Sequence, residues 1–531
     1  MKTGTQVING IEYVYEDQPY WDPVKKRGTH NRVYIGKNVG GVFVPNKKYK
    51  LQQELDSLKT NVKPGPIPVE ECRRTFYGAT YLLDTIGDKT GLTQDLKASF
   101  PDDYKEIQSI AYFLALEGHN PIYRFPKWSY SHEHPYRLDI PSQRSSELFG
   151  RITEKKKMEF FKRLSKRRLE KEYLAYDTTS ISSYSQSLKQ VKYGKNKEHD
   201  PLPQINLALL YGEKSGLPVY YRKLPGNITD VKTINNLLKD IDFLEMEKVN
   251  LVMDRGFYSE VNINELYRNH HKFIISAKTS LSFIQKKLNT IRNGFNSRDN
   301  YNSETKLYMQ SFTMDWDYTE TKPRSGGEIH EKRRIYVHYY YNMQHAADDE
   351  VRLNALLDLL ENELLSGKRN PEHENLYKKY YEVNSTPVKG TKIIPIQDAI
   401  DKAAKDCGYF VLLSNEIKDS AETLRIYRSN DLIEKAFGNL KERLNMRRES
   451  VASEENLEGK LFIQFVALIY LSYIKKAMDE NGLYKSYTMQ ELLDDLDIIE
   501  KYQQPGKQAH ISEITEKQKA LYHAMNVEVP S

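Results

Sequence analysis

A chain of 531 residues is several times longer than an ordinary domain, so more than one structural unit and a sizeable core are expected. A mean hydropathy of −0.70 with 29% charged and 39% hydrophobic residues reads as soluble and foldable. Two cysteines, Cys72 and Cys407, exclude a disulfide framework or a cysteine-rich zinc site and fit a reducing cytoplasm.

The N-terminus has no apolar core of the signal-peptide kind, so no secretion is expected. The formal charge of +6 is modest but uneven. Between Pro23 and Lys50 there are eight Lys or Arg and no acid, a local +8 that includes Lys25, Lys26 and Arg27. The same stretch holds "RVYIGKNVGGVFVP", two β-rich runs around a glycine turn, which predicts a hairpin. Residues 51–120 read as helical, and the Pro- and aromatic-rich "NPIYRFPKWSYSHEHPYRLDIP" reads as a connector and boundary. "EKKKMEFFKRLSKRRLEK" at 154–171 predicts an amphipathic basic helix of net +6. Two basic clusters in one chain point to a polyanionic partner, nucleic acid.

From Tyr173 the pattern turns to strands. "EYLAYDTTSIS" is the first, "LPQINLALLY" and "LPVYYRKLPG" form a hairpin, and "VNLVMD" is a continuous apolar run of the kind covered on both faces. The run stops at Asp254, and "KFIISAK" is one more strand. Asp177 and Asp254 thus sit on strands where loops and helices converge, the place where open α/β sheets put their chemistry. Residues 281–405 read as an insertion of strands and an amphipathic helix, before "GYFVLLSN" restores the buried-strand pattern. "LFIQFVALIYLSYI" at 461–474 is too short for a membrane span and reads as a buried helix.

"LRIYRSNDLIEKAFGNLKERLNMRR" reads as a single helix. At about 100° per residue, positions seven apart fall about 20° out of line, so Tyr427, Glu434 and Lys441 form one polar stripe with Asn430 beside it. The alternative is a solvated stripe with Asn430 as an N-cap. Three carboxylates, Asp177, Asp254 and Glu434, on separate elements suit hard divalent cations that take oxygen ligands. Two such ions about 4 Å apart promote in-line phosphoryl displacement.

"LAYDTTSIS", "VMDRGFYS" and "YRSNDLIEKAFGNLKERL", in this order with a long insertion before the third, resemble the catalytic domain of DDE transposases from bacterial insertion sequences. The likeness runs from about residue 140 and includes "YGKNKEHDPLPQINLAL" and "EGKLFIQFVALIYL". It implies a ribonuclease H-like mixed α/β sheet flanked by helices and interrupted by a β-rich and helical insertion. An N-terminal β-hairpin and helical DNA-binding region would precede it. It also implies cleavage of double-stranded DNA at the element's terminal inverted repeats and joining to a target. Asp177, Asp254 and Glu434 would hold two Mg²⁺ ions, Mn²⁺ substituting. One large group of these enzymes carries a Tyr, Arg, Glu, Lys signature; here Tyr427, Glu434 and Lys441 match and Asn430 stands where Arg is expected.

Candidate DNA contacts are Tyr427, Asn430, Lys441, Arg255, Lys195, Lys197, Lys25, Lys26, Arg27 and, for stacking a base, Trp316, for which a core role is the alternative. The expected divisions are 1–50 (basic, β-rich), 51–140 (helical, DNA-binding), 141–280 and 406–480 (catalytic), 281–405 (insertion) and 481–531 (helical tail). A homodimer on DNA, no membrane, and a cytoplasmic, prokaryotic setting complete the expectations.

Overall fold

The computed structural model describes residues 2–22, 27–60, 73–118, 120–167, 172–185, 187–197, 200–246, 248–321, 327–386, 390–444, 446, 448–449, 451, 453–504 and 508–531. Two compact units result: 1–73 with 503–509, and 74–502 with 510–531.

The first unit is an antiparallel meander of β1 (Lys2–Ile8), β2 (Ile11–Asp22), β3 (Arg27–Val39) and β4 (Val42–Pro45), followed by α1 (Lys47–Thr60). Among the described residues, its tight turns at Asn9-Gly10 and Gly40-Gly41 have all four residues at positive φ. Two consecutive positive φ values make the primed turn that matches strand twist, which is why "NG" and "GG" stand there.

The second unit begins with β5 (Arg73–Phe76) and a helical layer: α2 (Gly78–Lys89), α3 (Leu92–Ser99), α4 (Tyr104–Glu117), α5 (Phe125–Ser131), α6 (Ser142–Arg151) and α7 (Glu154–Arg167). The stretch at 120–141, read from sequence as a boundary, lies inside this unit. Phe125 and Trp128 are buried in the main core, and Trp128 stacks on His132. The basic run on α7 also differs from expectation. Lys157 is buried between Glu154 and Glu458, Lys162 and Lys166 pair with Glu245, Arg167 with Asp95, and Lys156 with Asp103. Apart from Glu154 on the same helix, these acids lie far away in sequence, so α7 is a packing helix more than an open polyanion surface.

The strands that follow are β6 (Tyr173–Ser183), β7 (Gln204–Gly212), β8 (Pro218–Pro225), β9 (Asn250–Met253) and β10 (Lys272–Ala277), with α8 (Asp230–Phe243) and α9 (Glu260–Arg268) between them. Their spatial order is β8-β7-β6-β9-β10; β6, β9 and β10 run parallel, and β7 is antiparallel to both its neighbours. That order, third-second-first-fourth-fifth with the second strand reversed, is the ribonuclease H-like arrangement. Leu251, Val252 and Met253 have no exposed surface, as a strand covered on both faces requires.

After α10 (Ser282–Ile291), the strands β11 (Tyr301–Asn302), β12 (Leu307–Thr321) and β13 (Glu328–Tyr341) extend this same sheet. Next come α11 (Met343–Ser366), α12 (Glu374–Tyr380), β14 (Tyr381–Thr386), β15 (Gly390–Pro395) and α13 (Gln397–Lys405). This segment has a small core of its own around Leu357, Leu360, Leu364, Tyr377, Tyr380 and Tyr381. β16 (Tyr409–Ser414) then inserts between β10 and β13. The insertion is therefore of two kinds: its first half widens the catalytic sheet and its second half stands apart from it.

The chain finishes with α14 (Ser420–Arg428), α15 (Asp431–Gly438), β17 (Arg448–Glu449), α16 (Glu454–Glu480), α17 (Met489–Asp497), β18 (Glu500–Gln503), β19 (His510–Ile511) and α18 (Glu516–Ala524). α16 is long and apolar enough to cross a membrane by length and composition alone, but 83% of its most apolar window is buried in the protein. It is the central core helix. Gly459 shows how tightly it is seated, since a Cβ there would stand 2.4 Å from the backbone of Phe149. The tail packs back on α2, with Tyr522 donating to the Gly78 carbonyl.

Candidate active site

β6 and β9 run in parallel with Tyr176 opposite Met253, so the next residues, Asp177 and Asp254, fall in register. In-register residues of a parallel pair point to the same face, and neighbouring strands lie about 4.8 Å apart. The ladder therefore brings Asp177, within β6, and Asp254, the first residue past β9, to neighbouring positions of one row. The pairing of Ile275 with Met253 brings Ser276 to the third place in this row. The row lies where β9 and β10 end, at the carboxyl edge of the parallel strands.

Asp254 is exposed and accepts a hydrogen bond from the Tyr427 hydroxyl at 3.0 Å. Burial, then the charge of Asp254, pushes the Tyr427 hydroxyl well above its usual range, so it remains a donor. Asp177 is more enclosed, 25% exposed, and burial pushes its carboxyl up to about 6 against the opposing pull of Lys197. The Lys197 ammonium stands 3.4 Å from Asp177 Oδ1 and also donates to the Thr178 carbonyl.

The turn after Asp254 is fixed from beneath. Phe257 is buried against Tyr176, and the Asn262 amide donates to the carbonyls of Phe257 and Val231 at 2.8 and 2.9 Å. Thr178, one step along β6, donates to Asp230 Oδ1 at 2.6 Å, and a Cβ on Gly256 would meet Asp230 Oδ2 at 3.1 Å. Asp230 thus bonds to the strand of the first acid and lies close against the turn of the second. Sequence reasoning missed it; the only signal was an Asp opening a helix after "GNIT".

The helix of the third acid is not continuous. At Ser429 and Asn430 the bonds shorten to three residues: Asn430 N–H to Tyr427, Leu432 N–H to Ser429 and Ile433 N–H to Asn430. The Ser429 hydroxyl bonds back to the Ile426 carbonyl, a local competitor of helical pairing. A wider turn over Asn439–Arg443 follows α15. The stripe expected at 100° per residue is therefore broken. Tyr427 reaches Asp254, Glu434 is exposed on α15, and Lys441 is buried. Asn430 occupies the N-cap position of α15 but caps nothing; its Oδ1 is buried and accepts no hydrogen bond among the described residues.

Among the described residues no group of three or more His, Cys, Asp or Glu is placed to hold a metal. The row of Asp177 and Asp254 fits a hard cation by its all-oxygen donors, while Glu434 is not gathered with them.

The remaining candidates scatter. Arg255 is exposed directly beside Asp254, and Lys195 and Lys197 lie on the loop between β6 and β7. Arg27 is exposed at the start of β3; Lys25 and Lys26 fall outside the described residues. Trp316 takes its core alternative: it is 8% exposed, with its indole N–H donated to Asn264 Oδ1 at 2.7 Å, so its faces are not open to a base.

A comparison with curated proteins gives no match. One similar solved structure is a piggyBac transposase in a synaptic complex with hairpin DNA, at 10% identity and a TM-score of 0.32 over 62% of this chain. The chain spans about half of that protein, 52% of its length. The family model described as the transposase DDE domain matches residues 168–470, which contain both strand-borne acids, the insertion and the third-acid helix. The chain belongs to the transposase DDE domain family.

Proposed function

We propose that this protein is a DNA transposase that binds the terminal inverted repeats of an insertion sequence, cuts the DNA at the element ends and joins them to a target. The observation that carries the reading is the in-register pair Asp177 and Asp254 at the edge of the parallel strands, with Tyr427 from the third-acid helix bonded to Asp254. Asp177 and Asp254 would hold Mg²⁺, or Mn²⁺ in its place, with Glu434 of α15 as the third ligand. Bound ions would activate the attacking oxygen and stabilise the leaving oxygen of a phosphodiester. The chain's own contribution is placement. The β6–β9 ladder sets the row of the two acids, Tyr427 orients the second, and Asp230 accepts from Thr178 beside the first.

The exposed cations Arg255, beside Asp254, and Lys197, 3.4 Å from Asp177, together with Lys195 on the same loop as Lys197, would supply phosphate contacts that set the register of a DNA strand. Arg27, with Lys25 and Lys26, adds sequence-independent attraction from the N-terminal unit. Two copies, one per element end, form the working assembly in a prokaryotic cytoplasm.

The test is purified full-length chain with a duplex carrying one inverted-repeat end, a target duplex and Mg²⁺. Cleavage at the end followed by covalent joining supports the reading. Cleavage without joining of a pre-cut end makes the protein a hydrolytic nuclease, and neither reaction with DNA binding intact leaves a DNA-binding descendant of a transposase.

A further inference from the structure

Lys197 is fixed in place more firmly than a surface lysine that merely attracts DNA. Its backbone N–H donates to the Ser180 hydroxyl at 3.2 Å, and the neighbouring Asn196 amide donates to the Ser182 hydroxyl at 3.2 Å. Upstream, Gln204 Nε2 donates to the Lys195 carbonyl, and Lys192 and Gln204 exchange both backbone hydrogen bonds at 2.9 Å. A Cβ on Gly194 would lie 2.1 Å from the Gly226 carbonyl oxygen, so the loop is pressed onto the strand end.

Ser180 and Ser182 are buried strand residues, and buried hydroxyls require partners. The partners they have belong to this loop. The Thr and Ser run after Asp177 therefore serves as a socket that brings one ammonium to Asp177 Oδ1 and the Thr178 carbonyl.

We propose that Lys197 is an exchange residue of the cation site: its ammonium neutralises Asp177 until a divalent cation takes that carboxylate, and then holds a phosphate oxygen of the DNA strand. This rests on the reading of Asp177 as a cation ligand. An ammonium and a dication compete for the same carboxylate oxygen, and the ammonium also repels the incoming ion. Lys197 is 41% exposed, so its side chain has open solvent to swing into while the loop backbone stays bolted. A lysine that only oriented Asp177 would have the opposite effect, because its loss would leave the carboxylate misplaced and weaken cation binding.

Mn²⁺ binding to the full chain without DNA, followed by the electron paramagnetic resonance of the free ion, separates the two. Lys197→Met is expected to bind Mn²⁺ about fivefold more tightly, the scale of one partly exposed ion pair. Lys197→Arg, which restores the charge, should return to wild-type affinity, and Asp177→Asn should lose the site. Ser180→Ala, which loosens the loop but leaves both charged groups, should tighten Mn²⁺ by a smaller factor and guards against a folding defect in Lys197→Met. Unchanged or weaker Mn²⁺ binding in Lys197→Met, with Asp177→Asn still abolishing it, would overturn the exchange role alone. Undiminished binding in Asp177→Asn would remove the cation site and the exchange role together.

Discussion

The two strand-borne acids and the helix-borne acid are positioned by different physics. Asp177 lies within a hydrogen-bonded ladder between two buried strands and Asp254 directly follows its last pair, Tyr176–Met253, in a turn held by Phe257 and Asn262. Glu434 depends on the path of α14 and α15 across the broken turn at Ser429 and Asn430, and it points to solvent. A ladder sets position residue by residue, whereas a helix with a break at its centre leaves the far half free to be set by something else. On the proposed reading, the fold supplies the two strand-borne ligands and leaves Glu434 to join them when DNA or cations bind.

The largest expected effect tests the built half. Asp177→Asn and Asp254→Asn should each lower end cleavage by about a thousandfold or more, while DNA binding measured by fluorescence anisotropy stays near wild type. Asp177 also predicts a pH signature. Its folded carboxyl is raised to about 6 from an ordinary value near 4, so the folded state disfavours the ionised form. The folded protein is then relatively more stable with Asp177 protonated, and this advantage is lost as pH rises from about 4 to about 6. Asp177→Asn should therefore melt a few degrees above wild type at pH 8, with the difference vanishing below about pH 4.

A second, smaller effect separates the two halves. Glu434→Gln should slow cleavage by about a hundredfold or more yet leave Mn²⁺ binding to the DNA-free protein unchanged, because Glu434 is not assembled with the strand acids. Equal loss of DNA-free Mn²⁺ binding in Glu434→Gln and Asp177→Asn would break the comparison.

Tyr427→Phe removes the hydroxyl that bonds Asp254 and also meets the Ser276 side chain. The expected outcome is a several-fold drop in cleavage rate with at most about 1 kcal/mol lost from stability. The smallest effect concerns Asn430. Because its side chain makes no cap bond, Asn430→Ala should cost less than the about 1 kcal/mol of a working N-cap. A melting temperature within about a degree of wild type checks this.

These contrasts also explain what was legible in the sequence. The strands showed plainly because "VNLVMD" and "INLALLY" are apolar for a reason the sequence states, burial on both faces, and the acids closing or interrupting such runs stand out. The β3–β4 hairpin at Gly40-Gly41 follows from the same kind of local signal, whereas the arrangement of the catalytic strands was implied only by the family resemblance. The helix break was hidden because the apolar spacing of Ile433, Phe437, Leu440 and Leu444 is intact; a serine hydroxyl bonding back to Ile426 leaves no mark on that pattern.

Charge counting failed on α7 for a related reason. It registers Lys157, Lys162 and Arg167 but not Glu458, Glu245 and Asp95, which reach them only once the chain has folded. Lys197 was named as a phosphate contact, while its pairing with Asp177 and the socket of Ser180 and Ser182 needed three dimensions.

On the proposed reading, the carboxylates of Asp177 and Asp254 hold the reactive cation and Glu434 joins them on DNA. Iron can report this directly: Fe²⁺ loaded in place of Mg²⁺ and given peroxide cuts the polypeptide next to wherever it is bound. Backbone cuts are expected near Asp177 and Asp254 in the free protein, with an added cut near Glu434 when an inverted-repeat end is present. Cuts confined to other segments, or a Glu434 cut equally strong without DNA, would contradict it.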